Sequence, residues 1–170
     1  MRRTVTALFS TMLVAPACAG EVVVGIQIPR LDVSEYHRPY VAVWLEGPDG
    51  QAVANLAVWY DLKKRGGEGT KWLKDLRQWW RRIGRETDLP VDGVSGATRP
   101  AGEHRLSFDT ATPPFADLKP GTYEVAVEAA REVGEREVLR LPLTWPAAPN
   151  AAAEAKGTSE LGTVTLSAKP

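Results

Sequence analysis

The chain carries 170 residues, with 21 lysines and arginines balanced by 21 aspartates and glutamates, and one cysteine. This length supports one domain with a proper hydrophobic core. The charge balance supplies no basic field for nucleic acid, and a lone cysteine excludes an intrachain disulfide framework and a cysteine-ligated iron–sulfur cluster.

At the N-terminus, Arg2 and Arg3 precede an apolar run over residues 5–17 that closes on Ala17-Cys18-Ala19. A positive flank, an apolar stretch and a small-x-small site make a secretory signal peptide over 1–19, cleaved before Gly20. The run is too short for a membrane span, and no later stretch is long and apolar enough to be one. Lipoprotein processing would instead acylate Cys18, although Ala15-Pro16-Ala17 departs from the leucine-led sequence that such processing favours. Cleavage after Ala19 removes the cysteine; taking Arg2 and Arg3 from the 21 basic residues leaves 19, a net charge of about −2. The exported chain is therefore expected in the periplasm as a single domain over 20–170. Its two histidines, His37 and His104, are too few for a structural zinc site, and C-x-x-C-H for haem is missing.

Most of the exported chain alternates like half-buried strands. Residues 22–28 are β-rich, and 40–46 and 51–60 form a hairpin around the turn Gly47-Pro48-Asp49-Gly50. Residues 104–109 alternate again, with Leu106 and Phe108 on one face. A second hairpin is predicted over 122–131 and 137–143 around Gly134, and 162–168 closes the set. The Ala- and Pro-rich stretch 146–160 reads as a mobile connector. Seven short strands separated by turn signals predict a mostly β protein, an antiparallel immunoglobulin- or fibronectin-like sandwich.

One segment breaks this rhythm. Over 70–83 the apolar residues Trp72, Leu73, Leu76, Trp79, Trp80 and Ile83 fall on one helical stripe, with Thr70 as N-cap and Gly84 as stop. The stripe predicts an amphipathic helix inserted between two strands. Three roles fit it: a lid packing its tryptophans over one end of the sandwich, an aromatic platform for a ligand, or a basic helix adsorbed to a membrane surface. Its shortness and the acidic mature chain weaken the last.

Just downstream, within a loop over 90–103, comes Asp92-Gly93-Val94-Ser95-Gly96-Ala97-Thr98. D-x-x-S-G-A-T resembles the acceptor pattern at which periplasmic flavin transferases attach FMN. The Thr98 hydroxyl would attack the phosphoryl group of FAD and expel AMP. A hydroxyl that must enter another enzyme's active site calls for a flexible surface loop with small neighbours, and Gly93, Gly96 and Ala97 provide one. Asp92 and Ser95 are expected handles for the transferase. The same residues would also build an ordinary turn-rich connection between strands. Arg81, Arg82, Arg85 and Arg99 flank the motif and are candidates to pair with a phosphodiester. Trp79 and Trp80, nearest in sequence, are candidates to stack on the flavin ring, and His104 to lie near its edge. No nucleophile–base pairing, G-x-S-x-G or H-E-x-x-H pattern is present, so catalysis by the polypeptide itself is not expected.

The chain resembles a family of predicted periplasmic proteins classed as a domain of unknown function. The resemblance is carried by Trp59-Tyr60-Asp61 through Lys71-Trp72-Leu73, by Asp92-Gly93-Val94-Ser95-Gly96-Ala97-Thr98, and by Gly121-Thr122-Tyr123 through Glu128-Ala129-Ala130-Arg131-Glu132. It implies a small exported protein encoded beside PepSY-type membrane proteins and flavin transferases. The S-G-A-T element also resembles the flavin acceptor of sodium-pumping and electron-bifurcating membrane complexes, where it sits in an α/β domain this chain lacks. The expectation is an electron carrier with FMN on Thr98, fed by a PepSY-type partner and itself the substrate of a flavin transferase. The competing class is a non-redox binding module that grips a polysaccharide, peptide or envelope protein.

Overall fold

The computed structural model describes residues 20–169; the expected leader over 1–19, with Cys18, lies outside the described residues. Among the described residues, nine strands form two sheets. β1 (Glu21–Ile28), β5 (Gly102–Asp109), β8 (Ala151–Lys156) and β9 (Thr163–Lys169) make a four-stranded sheet in the order β5-β1-β9-β8. β2 (Tyr40–Glu46), β3 (Ala52–Tyr60), β4 (Ser95–Ala97), β6 (Gly121–Ala130) and β7 (Arg136–Trp145) make a five-stranded sheet in the order β4-β3-β2-β6-β7. Their pairings are antiparallel except that of β3 with β4.

The period of two explains how the sheets face each other. β1 buries Val22, Val24, Ile26 and Ile28 and leaves the intervening residues half-exposed. Those four pack against Val41, Val43 and Leu45 of β2 and Val125 and Val127 of β6, so the main core lies between the sheets. Both predicted hairpins are present: β2–β3 turns at Gly47–Gly50, and β6–β7 turns where Gly134 N–H donates to Arg131 O (3.0 Å).

β2 departs from half-burial, since all seven of its residues are buried. Its second face, Tyr40, Ala42 and Trp44, packs with Val58 and Tyr60 of β3 and with Ala126 and Ala130 of β6 into a second core. The inserted segment covers that core with Leu73, Leu76 and Trp79. The predicted lid therefore covers a sheet's outer face and not an end of the sandwich.

Nor is the insert the continuous helix expected over 70–83. Arg65–Asp75 is a run of 3₁₀ turns, and only α1 (Arg77–Arg82) is α-helical. Gly66 and Gly67 hold left-handed φ of 65° and 69°, and Leu76, at ψ 71°, breaks the run between the two parts. Thr70 caps nothing; its hydroxyl donates to Gly67 O (2.8 Å). The three buried anchors are Leu73 in the 3₁₀ run, Leu76 at the break and Trp79 in α1. Trp72, one residue before the first of these anchors, lies outside the buried stripe and is 43% exposed.

Carboxylates from the sheet fix the insert. Glu128 of β6 is fully buried and accepts from the backbone N–H of Gln78 (3.0 Å) and Trp79 (2.8 Å), the unpaired donors of the first turn of α1, and from Arg136 (3.2 Å). Glu46 of β2 accepts from Trp44 Nε1 (2.8 Å) and Arg140 Nε (3.1 Å) and pairs with Arg82 of α1 (3.1 Å).

The stretch 146–160 is not the mobile connector its composition predicts. Its middle is β8, alternately half-buried and exposed and paired to β9. Glu137 of β7 secures the following turn by accepting the N–H groups of Thr158 (2.6 Å), Ser159 (3.1 Å) and Leu161 (2.9 Å). Partial burial pushes this carboxyl up, but the Thr158, Leu161 and Ser159 donors outweigh it and hold the group below its ordinary value. A carboxyl depressed by folding contributes stability above its unfolded value, and that contribution is lost as pH falls through the folded one. Glu137→Gln is thus expected to cost about 1 kcal/mol at neutral pH. The deficit should vanish in acid below the usual carboxylate range, and paired thermal melts at neutral and acidic pH check this.

Candidate functional site

The Thr98 motif is more ordered than the flexible loop its composition predicts. Val91 to Ser95 closes a tight turn: Ser95 N–H donates to Val91 O (2.8 Å), and Val91 N–H donates back to Ser95 Oγ (2.9 Å). Gly93 occupies the left-handed region at φ 75° that this turn requires. Ser95, Gly96 and Ala97 then form β4, the edge strand beside β3. Val58 N–H donates to Val94 O (2.9 Å) and Thr98 N–H to Tyr60 O (3.2 Å), so Thr98 is the residue at which the strand leaves the sheet.

The motif residues divide by role. Ser95 is half-buried, and its Oγ accepts the Val91 N–H that closes the turn. Gly96 lies against Trp59, where an added Cβ would come within 3.1 Å of the indole Cδ1. Asp92 is exposed and has no hydrogen-bond or salt-bridge partner among the described residues. Ala97 is exposed and Thr98 half-buried. Arg99 places its guanidinium 5.3 Å from the centre of the Trp59 ring, a cation–π contact. His104 meets the same indole edge-on at 5.8 Å and its Nε2 lies 2.7 Å from Pro100 O. Trp59, Arg99 and His104 therefore hold the chain leaving Thr98 in place.

Thr98 and Asp61 are common to the walls of two cavities. The first, about 310 Å³, is also lined by Tyr36, His37 and Arg38 from the chain before β2, by Trp72 and Asp75 from the insert, and by Tyr40, Ala130 and Glu132. The second, about 350 Å³, is bounded by Tyr60, Leu62, Lys63, Lys64 and Ala97. Pairing of Tyr40 with Ala130 brings the start of β2 and the end of β6 together at the first cavity. The Tyr40 hydroxyl donates to Gly69 O (3.1 Å). Burial pushes this phenol up to about 12, with the Asp61 carboxylate adding to the rise, so it remains a neutral donor. His37 bridges Glu35 (2.9 Å) and Glu132 (3.7 Å) at the rim.

The expected flavin contacts around the helix are not gathered here. Trp79 is fully buried; its Nε1–H donates to Asn55 Oδ1 (3.1 Å), and Gly84 packs on its ring. Trp80 is half-buried beside Trp79 at 6.3 Å and lines neither Thr98 cavity. Nearness in sequence is a poor guide because residues 84–94 run between α1 and β4. Arg82 pairs with Glu46 and donates to Gly50 O, Arg81 donates to Arg77 O (3.1 Å), and Arg85 lies 3.7 Å from Glu86. Neither these three arginines nor Arg99 lines either of these two cavities. Trp72, Tyr36 and Arg38 do, and no local pattern marks them, since they come from different elements. The one available signal is Trp72, which begins the apolar stripe yet precedes its first buried anchor.

Among the described residues, no group of three or more His, Cys, Asp or Glu is placed to hold a metal ion, and no helix is long and apolar enough to cross a membrane. No curated protein and no solved structure matches the chain. A family described as a predicted periplasmic protein, DUF2271, matches residues 21–163. That span runs from the first strand to the start of the last and includes both sheets, the insert and Thr98. The chain belongs to DUF2271, a family described as predicted periplasmic proteins.

Proposed function

We propose that this is an extracytosolic electron-transfer protein carrying FMN covalently through a phosphoester to Thr98. The observation that carries the reading is the D-x-x-S-G-A-T motif ending at Thr98, just past the edge strand β4, at the wall of a cavity of about 310 Å³. That volume lies within the range small-molecule sites occupy. Attachment joins Thr98 Oγ to the FMN phosphorus of FAD, breaks the pyrophosphate bond and releases AMP. The hydroxyl proton passes to the transferase. Bound FMN supplies one- and two-electron chemistry, and the chain supplies tether, exposure and docking. Arg38 brings a cationic donor to the same cavity as the tether. Asp92, exposed and unpartnered among the described residues, suits a recognition contact with the periplasmic flavin transferase. A PepSY-type membrane protein is the proposed electron donor.

The scaffold we infer is immunoglobulin- or fibronectin-like. With β1, β2, β5, β6 and β7 taken as strands B, C, E, F and G, the pairs β1–β5 and β2–β6–β7 reproduce B–E in one sheet and C–F–G in the other. β9 then stands beside β1 where strand A would be.

Mature protein exported alongside a periplasmic flavin transferase is expected to gain the mass of one FMN phosphoryl adduct and a yellow colour that survives denaturation. The exposed aromatics Trp72 and Tyr36 also suit a non-redox binding module. Unchanged mass beside an active transferase would favour that reading.

A further inference from the structure

We infer that the first cavity is the seat of the isoalloxazine ring, with the ring of a flavin tethered at Thr98 lying against Trp72 and Tyr36. This rests on covalent attachment at Thr98 and goes further, by assigning where the ligand lies and what touches it.

Two exposed aromatics carry the inference. Trp72 is 43% and Tyr36 39% exposed, while Trp44, Trp59 and Trp79 are buried. Trp72 adjoins the fully buried anchor Leu73, and it is the apolar side chain of this run left exposed among polar neighbours. Trp72 and Tyr36 come from segments far apart in sequence, yet both line the same cavity as Thr98. Flat apolar faces left open beside an attachment point suit a planar aromatic ligand, because stacking buries both surfaces. Buried Tyr40 and Ala130 add apolar lining. Arg38, in no salt bridge among the described residues, is a cation for the phosphodiester. The second cavity has Lys63 and Lys64 along its wall and only buried Tyr60 as an aromatic, so it offers no comparable open ring face.

The test uses the exported protein made with an active flavin transferase, measured by intact mass and by flavin emission at equal absorbance. Indole and phenol rings stacked on a flavin quench its emission. The wild-type adduct should therefore emit several-fold less than its own complete protease digest. Trp72→Ala and Tyr36→Ala should each raise emission at unchanged mass gain, and Trp80→Ala, outside the cavity, should not. Tyr36 lies on irregular chain before β2, so its variant reports even where the Trp72 variant folds poorly. A wild-type adduct as bright as its digest overturns the assignment, as do Trp72 and Tyr36 variants quenched like wild type, and in both cases covalent attachment stands. Absence of the adduct removes both readings and shows in the mass alone.

Discussion

Truncating Trp79 to alanine is expected to cost about 3–5 kcal/mol of stability, the range for deleting a large buried aromatic. The indole is fully buried, spends its N–H on Asn55, and fills the space between β3 and Gly84. The cavity left behind would sit beneath a six-residue helix whose first-turn donors depend on Glu128. So short a helix has little stability of its own and relies on packing. Denaturant titration of Trp79→Ala checks the magnitude. Trp72→Ala, removing an equally large but half-exposed side chain, should cost much less. If the two costs are equal, the division between buried anchors and open face is wrong.

Replacing Thr98 by alanine is expected to abolish the FMN adduct outright while moving stability by no more than about 1 kcal/mol. The backbone bond from residue 98 to Tyr60 O survives the change, and the lost side chain is only half-buried. Thr98→Ser retains a hydroxyl and should retain attachment. Three further positions separate recognition from folding. Asp92→Ala should lower flavinylation with an unchanged melt, since the carboxylate has no partner among the described residues. Ser95→Ala should disturb both, because its hydroxyl closes the turn. Gly96→Val should also disturb both, because the added side chain meets Trp59. Mass spectrometry after co-export, paired with thermal melts, resolves all of these. Full occupancy in Thr98→Ala would show the flavin attached elsewhere.

β1, β5 and β9 are legible because each alternates between core and solvent, and the two hairpins because apolar, β-branched-rich runs flank turns that contain Gly. β8 is not, because alanines and a proline-rich approach carry no strand signal. It forms against the free edge of β9, a partner that no local pattern reveals. β4 reads as loop because three small residues have no period; pairing with β3 orders it.

The insert shows the same division in one segment. Its apolar stripe predicts burial of Leu73, Leu76 and Trp79, and they are buried. Its backbone does not follow the stripe: 3₁₀ turns to Asp75, a break at Leu76 and a short α1 stand in place of one α-helix. Trp72, at the start of that stripe, is exposed and lies in the wall beside Thr98.

The sequence by itself determined the mostly β class, the signal-like N-terminal pattern and the S-G-A-T element, since each is written in neighbouring residues and needs only local spacing. Only the tertiary structure decided which side chains surround Thr98. The cavity is assembled from the chain before β2, the end of β3, the insert and the end of β6. These meet because β2 pairs with both β3 and β6 and is roofed by the insert, and packing of that kind has no trace in local sequence.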